Sequence, residues 1–284
     1  MKNKFILAAL MLLAVLPSFA QNEDKPNVFV EAFANKSQTS NVACNNLRQE
    51  IVSGLIATGR LTVVDAATLN ELPETKNDRL VSLNEMGIEY YIEGTLNSVD
   101  TKAKTTESNG KRKTQWEATI NYTLNVISTE TGVTKSAETL KDSYTIGDTE
   151  DEAILKAIEY ARKRMKTFVD NNFKVEATIK ALDEVDKKGV KTCYINIGSN
   201  AGISKGQIFE VFSKVEVAGE MIDKKIAEVK AEEVLSGTLT KCSVKSGGAE
   251  IKTCFEGKVP LSVVSRARKP GMFERINNGL DKVL

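Results

Sequence analysis

The spacing of apolar residues changes along the chain, and each change predicts an element. Val28, Phe29 and Val30 form a short apolar run between polar residues, as a buried strand does. From Val42 to Thr58 the spacing becomes helical, with Cys44, Leu47, Ile51 and Leu55 on one face. Ser40 or Asn41 can cap the start of that helix and Gly59 stands where a helix stops. Leu61, Val63 and Val64 then return to strand character, so a β-α-β unit nucleates the first domain.

Further on, Leu80, Leu83 and Met86 suggest a short helix ended by Gly87, and Tyr90 to Leu96 reads as a strand. Asn109-Gly110, inside a long polar stretch, is the strongest hairpin signal in the chain. Ala118, Ile120, Tyr122, Leu124 and Val126 alternate with polar residues, which predicts a strand with one buried face, and its partner runs through Thr139. Thr149 and Glu152 have capping-box spacing ahead of a long amphipathic stripe from Ala153 to Val169. Beyond Lys174 helical spacing gives way to short strand-like runs at Val175–Leu182, Val190–Ile197, Gln207–Val217, Lys225–Val234, Leu239–Val244, Ala249–Phe255 and Leu261–Val264. Turn residues separate them, a rhythm that predicts a small β-barrel. Pro270-Gly271 ends it, and Phe273, Ile276, Leu280 and Val283 suggest a terminal helix. The fold class read from this pattern is α+β, an amino-terminal α/β sandwich followed by a small all-β barrel-like domain.

The first residues carry a different signal. Lys2 and Lys4 precede the apolar run Phe5 to Leu16, and Ser18 and Ala20 supply small residues at the expected positions. This is the layout of a secretory signal peptide, residues 1–20, with cleavage after Ala20. The run falls short of the roughly 20 residues that span a bilayer. The first cysteine is Cys44, so no cysteine stands at the cleavage point to take a lipid. The expected location is the periplasm, with peripheral outer-membrane association as a further option.

Composition narrows the chemistry. The 284 residues suit one large domain or two ordinary ones, and 39 basic against 38 acidic residues remove any chain-wide attraction to a polyanion, so no nucleic-acid partner is expected. Histidine is absent, which excludes every mechanism needing an imidazole near neutral pH. Carboxylate pairs, Ser-Lys dyads and thiolates stay open, but the chain reads as a binder and not as an enzyme, with no catalytic residue assigned. No Cys-x-x-Cys pair is present, so no metal site or cofactor is expected.

The glycines Gly198, Gly202 and Gly206 lie in GSNAGISKGQIFEV, which runs into a strand and lacks the lysine of a phosphate-binding loop, so it reads as a turn. Asp148, Glu150, Asp151 and Glu152 sit at a helix start, where the helix dipole accounts for them. Arg162, Lys163, Arg164 and Lys166 read mainly as the solvated face of the long helix, although such a cluster can in principle hold an anion. Cys44 and Cys193 read as buried small hydrophobes. Cys242 and Cys254 stand nearly symmetrically about Gly247-Gly248; a hairpin there would set them opposite each other, which makes them the candidate disulfide, subject to strand register.

VFVEAFANKS with its following helix and LTVVD, then NEMGIEYYIEGTL, then INYTLNVISTETGVTKS, together resemble the periplasmic domain shared by the curli secretion protein CsgG, the penicillin-binding-protein activator LpoB and the TolB amino-terminal domain, over residues 26–172. Residues 174–268, through GSNAGISKGQIFEVF, resemble the β-rich carboxy-terminal module of the flagellar protein FlgT, and 269–284 form the tail. The resemblance implies a non-catalytic scaffold or accessory subunit of an envelope assembly or secretion machine, with envelope proteins as partners and homo-oligomers allowed. Its alternatives are a ring-forming export-channel subunit and a regulator of a periplasmic enzyme. The chain departs from CsgG in the stretch Thr101 to Thr114, whose lysines and arginine leave no lipid-facing side.

Overall fold

The computed structural model describes residues 25–266 apart from 67, 68, 70, 71, 109 and 110. Its opening segment is a β-α-β unit: β1 (Asn27–Val30) lies parallel to β3 (Thr62–Asp65), with β2 (Ala34–Asn35) and α1 (Asn41–Ala57) between them in the chain. The Ser40 hydroxyl accepts a hydrogen bond from the Ala43 N–H and starts α1, and Gly59 leaves it at a φ of +66°. After α2 (Lys76–Glu85), β4 (Tyr90–Ser108) adds parallel to β1, and β5 (Lys111–Ser128) and β6 (Thr134–Gly147) continue the sheet antiparallel. The sheet order is β3-β1-β4-β5-β6, with β2 pairing on β4. The apolar pattern gives no sign of β2, which is only two residues long.

Pleating sorts the sheet residues onto two faces. Val28, Val30, Ile92, Leu96 and the alternating Ala118, Ile120, Tyr122, Leu124 and Val126 share one core with α1 and with α3 (Glu150–Asn172). Phe29, Tyr91 and Ile127 point the other way, onto Leu80 and Leu83 of α2. The Thr149 hydroxyl accepts from the Glu152 N–H, and the Glu152 carboxylate accepts from the Asp148 N–H, one residue earlier than an ideal capping box. At Gly54 the helices α1 and α3 approach as closely as backbones permit: a Cβ there would lie 2.6 Å from the Arg162 carbonyl oxygen and 2.7 Å from Met165 Cγ.

Strands β4 and β5 run past the rest of the sheet. β6 leaves β5 at Trp116, while β4 and β5 stay paired out to Ser108 opposite Lys111. The Asn109-Gly110 turn expected there lies outside the described residues. The outer arm is polar on both sides, with Thr105 opposite Thr114 and Glu107 opposite Arg112.

The second half contains β7 (Glu176–Leu182), β8 (Val185–Asp186), β9 (Gly189–Val190), β10 (Thr192–Ile195), β11 (Ile208–Val217), β12 (Glu220–Val234), β13 (Thr240–Ser246), α4 (Gly248–Glu256) and β14 (Leu261–Ser265). Six strands close into a barrel in the order β10-β13-β12-β11-β14-β7. Its interior holds Ile179, Cys193, Ile195, Phe209, Val211, Val229, Cys242 and Val263, a core separate from the first. The protein is thus a mixed α+β molecule, rich in sheet, with a closed six-stranded barrel.

Two expectations fail here, for one reason. Residues 249–255 are not a strand: α4 occupies them, and Ile251, Cys254 and Phe255, at i, i+3 and i+4, turn onto the barrel core. Gly247, at a φ of +78°, begins this helix instead of turning a hairpin. With no hairpin there, the expected Cys242–Cys254 bridge is not formed, and all four cysteines are free. Cys242 instead faces Cys193 across β13 and β10, and burial pushes both thiols up to about 12. The predicted signal peptide and terminal helix lie outside the described residues. Among those described, no helix is long and apolar enough to cross a membrane.

Candidate functional site

Arg60, just past the end of α1, stands where the first unit meets the barrel half. Its Nη1 donates to Asp170 Oδ1 of α3 at 2.6 Å, and its Nη2 donates to the Phe173 carbonyl at the exit of α3. Across from it, Gly202 sits at a φ of +66°, and a Cβ there would fall 2.4 Å from Arg60 Cγ. Gly202 is therefore required twice, for its left-handed backbone and for the space the arginine stem fills. Arg60 is 6% exposed. Burial lowers its pKa while the Asp170 carboxylate works against that.

Beside this hook opens a cleft of about 820 Å³. Helix α3 contributes Arg162, Lys163 and Lys166, the loop before β11 contributes Ser204, Lys205 and Gln207, and the end of β14 contributes Arg266. Six of its lining residues are cationic, against the single carboxylate of Asp170, which Arg60 already holds. Arg162 pairs with Glu50 at 3.3 Å and Arg266 pairs with Glu228. Lys163 lies 5.6 Å from the Tyr160 ring centroid. Lys166 and Lys205 have no ion-pair partner among the described residues. Two donors at the cleft, Arg60 Nε and Gln207 Nε2, are buried without an acceptor among the described residues. Such a donor costs roughly 1–3 kcal/mol in an empty site.

Three members of the basic run on α3 thus reach one site, and the fourth does not. Arg164 turns to the sheet, where its Nε donates to Asp142 Oδ1 at 2.7 Å and the Tyr122 hydroxyl donates to Asp142 Oδ2 at 2.8 Å. Burial first, then the carboxylate, push the Tyr122 hydroxyl well above its usual range. Asp142 is fully buried, so this trio ties α3 to β6 and is structural. The glycine-rich loop does not present its backbone as a phosphate cradle. The N–H groups of Gly202, Ile203, Gly206 and Gln207 all donate to protein carbonyls. Arg60 gave no sign in the sequence beyond its place after Gly59, and Lys205 and Arg266 are too far along the chain for any local pattern to join them to α3. Among the described residues no group of three His, Cys, Asp or Glu side chains gathers as metal ligands do.

No protein-family model matches this sequence, and no curated protein matches it. Solved structures are similar to part of this chain at low identity and low TM-score. A PelC dodecamer from Paraburkholderia phytofirmans is similar at 16% identity over 50% of this chain and 87% of its own, with a TM-score of 0.32. Lipoprotein GNA1162 from Neisseria meningitidis is similar at 11% identity over 48% and 94%, with a TM-score of 0.33. The LpoB C-terminal domain from Salmonella enterica is similar at 14% identity over 42% and 82%, with a TM-score of 0.28. Similarity this distant does not define an activity.

Proposed function

We propose that this chain is an exported, non-catalytic protein of a bacterial envelope, a scaffold or accessory subunit of a larger assembly or secretion machine. In this reading residues 26–172 are a domain of the CsgG, LpoB and TolB amino-terminal kind, and residues 174–268 a barrel module of the FlgT kind. The charged start and apolar run of residues 1–20 support export. The make-up of the cleft carries the rest: it gathers cations, and its one carboxylate is engaged by Arg60. Such a surface can hold a partner by charge, and this is what favours binding over chemistry in this reading. Cross-linking in intact cells followed by capture of the tagged protein is expected to recover envelope proteins; recovery of none would overturn the reading. The ring-forming alternative requires a multimer, and a strictly monomeric mass by light scattering removes it.

A further inference from the structure

We propose that the cleft is a binding site for a small, multiply charged phosphate ligand gripped by Lys166 of α3 and Lys205 of the β11 loop. The proposal rests on the reading above that the protein works by binding, and adds what it binds. Three observations converge on it. The volume, about 820 Å³, falls within the ordinary range for small-molecule sites. Its walls carry positive charge from parts of the chain far apart in sequence, and among the described residues no carboxylate pairs with Lys166 or Lys205. Lysine ammonium groups are compact point charges suited to phosphate oxygens. Finally, two residues that line the cleft, Gln207 and Arg60, each carry a buried donor, Nε2 and Nε, without an acceptor among the described residues.

An acidic peptide is the less suitable occupant. An extended peptide binds by adding to exposed backbone groups as well as by charge. Here the N–H groups of Gly202, Ile203, Ser204, Gly206 and Gln207 already donate within the protein. The side chains are what the site offers, and they suit a compact anion with several oxygens. A free polyphosphate and the phosphate of a lipid headgroup present the same chemistry.

The test uses the exported chain without its first 20 residues, titrated calorimetrically with inorganic tripolyphosphate and, separately, in co-sedimentation with vesicles containing phosphatidylglycerol. Lys166→Glu and Lys205→Glu are each expected to weaken binding at least tenfold, whereas Lys102→Glu, on the exposed hairpin arm, leaves it unchanged; thermal melts check that each variant folds. Binding of tripolyphosphate lost in the two cleft variants supports a soluble ligand. Vesicle binding alone, lost in the same variants, supports a headgroup. Binding of either probe that survives both substitutions, or of neither probe, overturns the proposal, as does selective binding of a poly-glutamate peptide. These outcomes hold whatever the cross-linking capture recovers, so the two readings fail separately.

Discussion

Arg60 concentrates more of this molecule's organisation than any other side chain. It is buried, ion-paired to Asp170, bonded to the Phe173 carbonyl and wedged against Gly202. Removing one member of a buried pair strands the other, at a cost of about 3–5 kcal/mol. Arg60→Met is therefore expected to lower the unfolding free energy, read from urea denaturation, by about 3–5 kcal/mol, and Arg60→Met with Asp170→Asn to recover part of it. A second residue reports on pH. Burial raises the Glu31 pKa, but hydrogen bonds from the Ala32 N–H, Tyr91 and Arg79 outweigh this and hold it below its usual 4.5. A carboxylate depressed in the folded state contributes stability that is complete above the unfolded value and is lost as pH falls through the folded one. The stability gap between native protein and Glu31→Gln should accordingly be constant near neutrality and close as pH drops below about 4.5, read from denaturation curves across that window.

At the scale of elements, the contact between α1 and α3 depends on the absence of a single methyl group. Gly54→Ala places a Cβ against the Arg162 carbonyl and Met165, and overpacking of this kind costs about 1–3 kcal/mol. A clear fall in melting temperature is expected, although alanine favours helices; an unchanged or higher value would mean that α3 yields easily. The elements differ in how plainly the sequence declares them. In β5 the alternation from Ala118 to Val126 is unambiguous because one side of that strand is wholly buried and the other is polar. In residues 249–255 the same residue types admit two readings: Ile251, Cys254 and Phe255 mark a helical face, but so short a run also fits a strand. The two glycines before it settle the matter only through Gly247's backbone conformation, which the sequence alone does not reveal. The cleft was visible only as a basic run on one helix. Its other wall comes from Lys205 and Arg266, which the barrel brings there.

At the scale of the whole molecule, the two cores share no apolar residue; the hydrogen bonds of Arg60 stay within the first unit, and its stem meets the barrel half at Gly202. A fragment spanning residues 25–173 keeps Asp170, the Phe173 carbonyl and its complete sheet-and-helix core. It is expected to fold alone with a native-like circular dichroism spectrum and cooperative melting; a fragment that stays unfolded would show that the barrel supplies stability across the junction. The hairpin formed by β4 and β5 has a different consequence. Beyond Trp116 it loses its third strand, and residues 102–107 and 112–114 are exposed and contribute to neither core. An epitope tag or fluorophore grafted there would ride on the protein without touching either body, which makes this arm the natural handle for following the molecule in living cells.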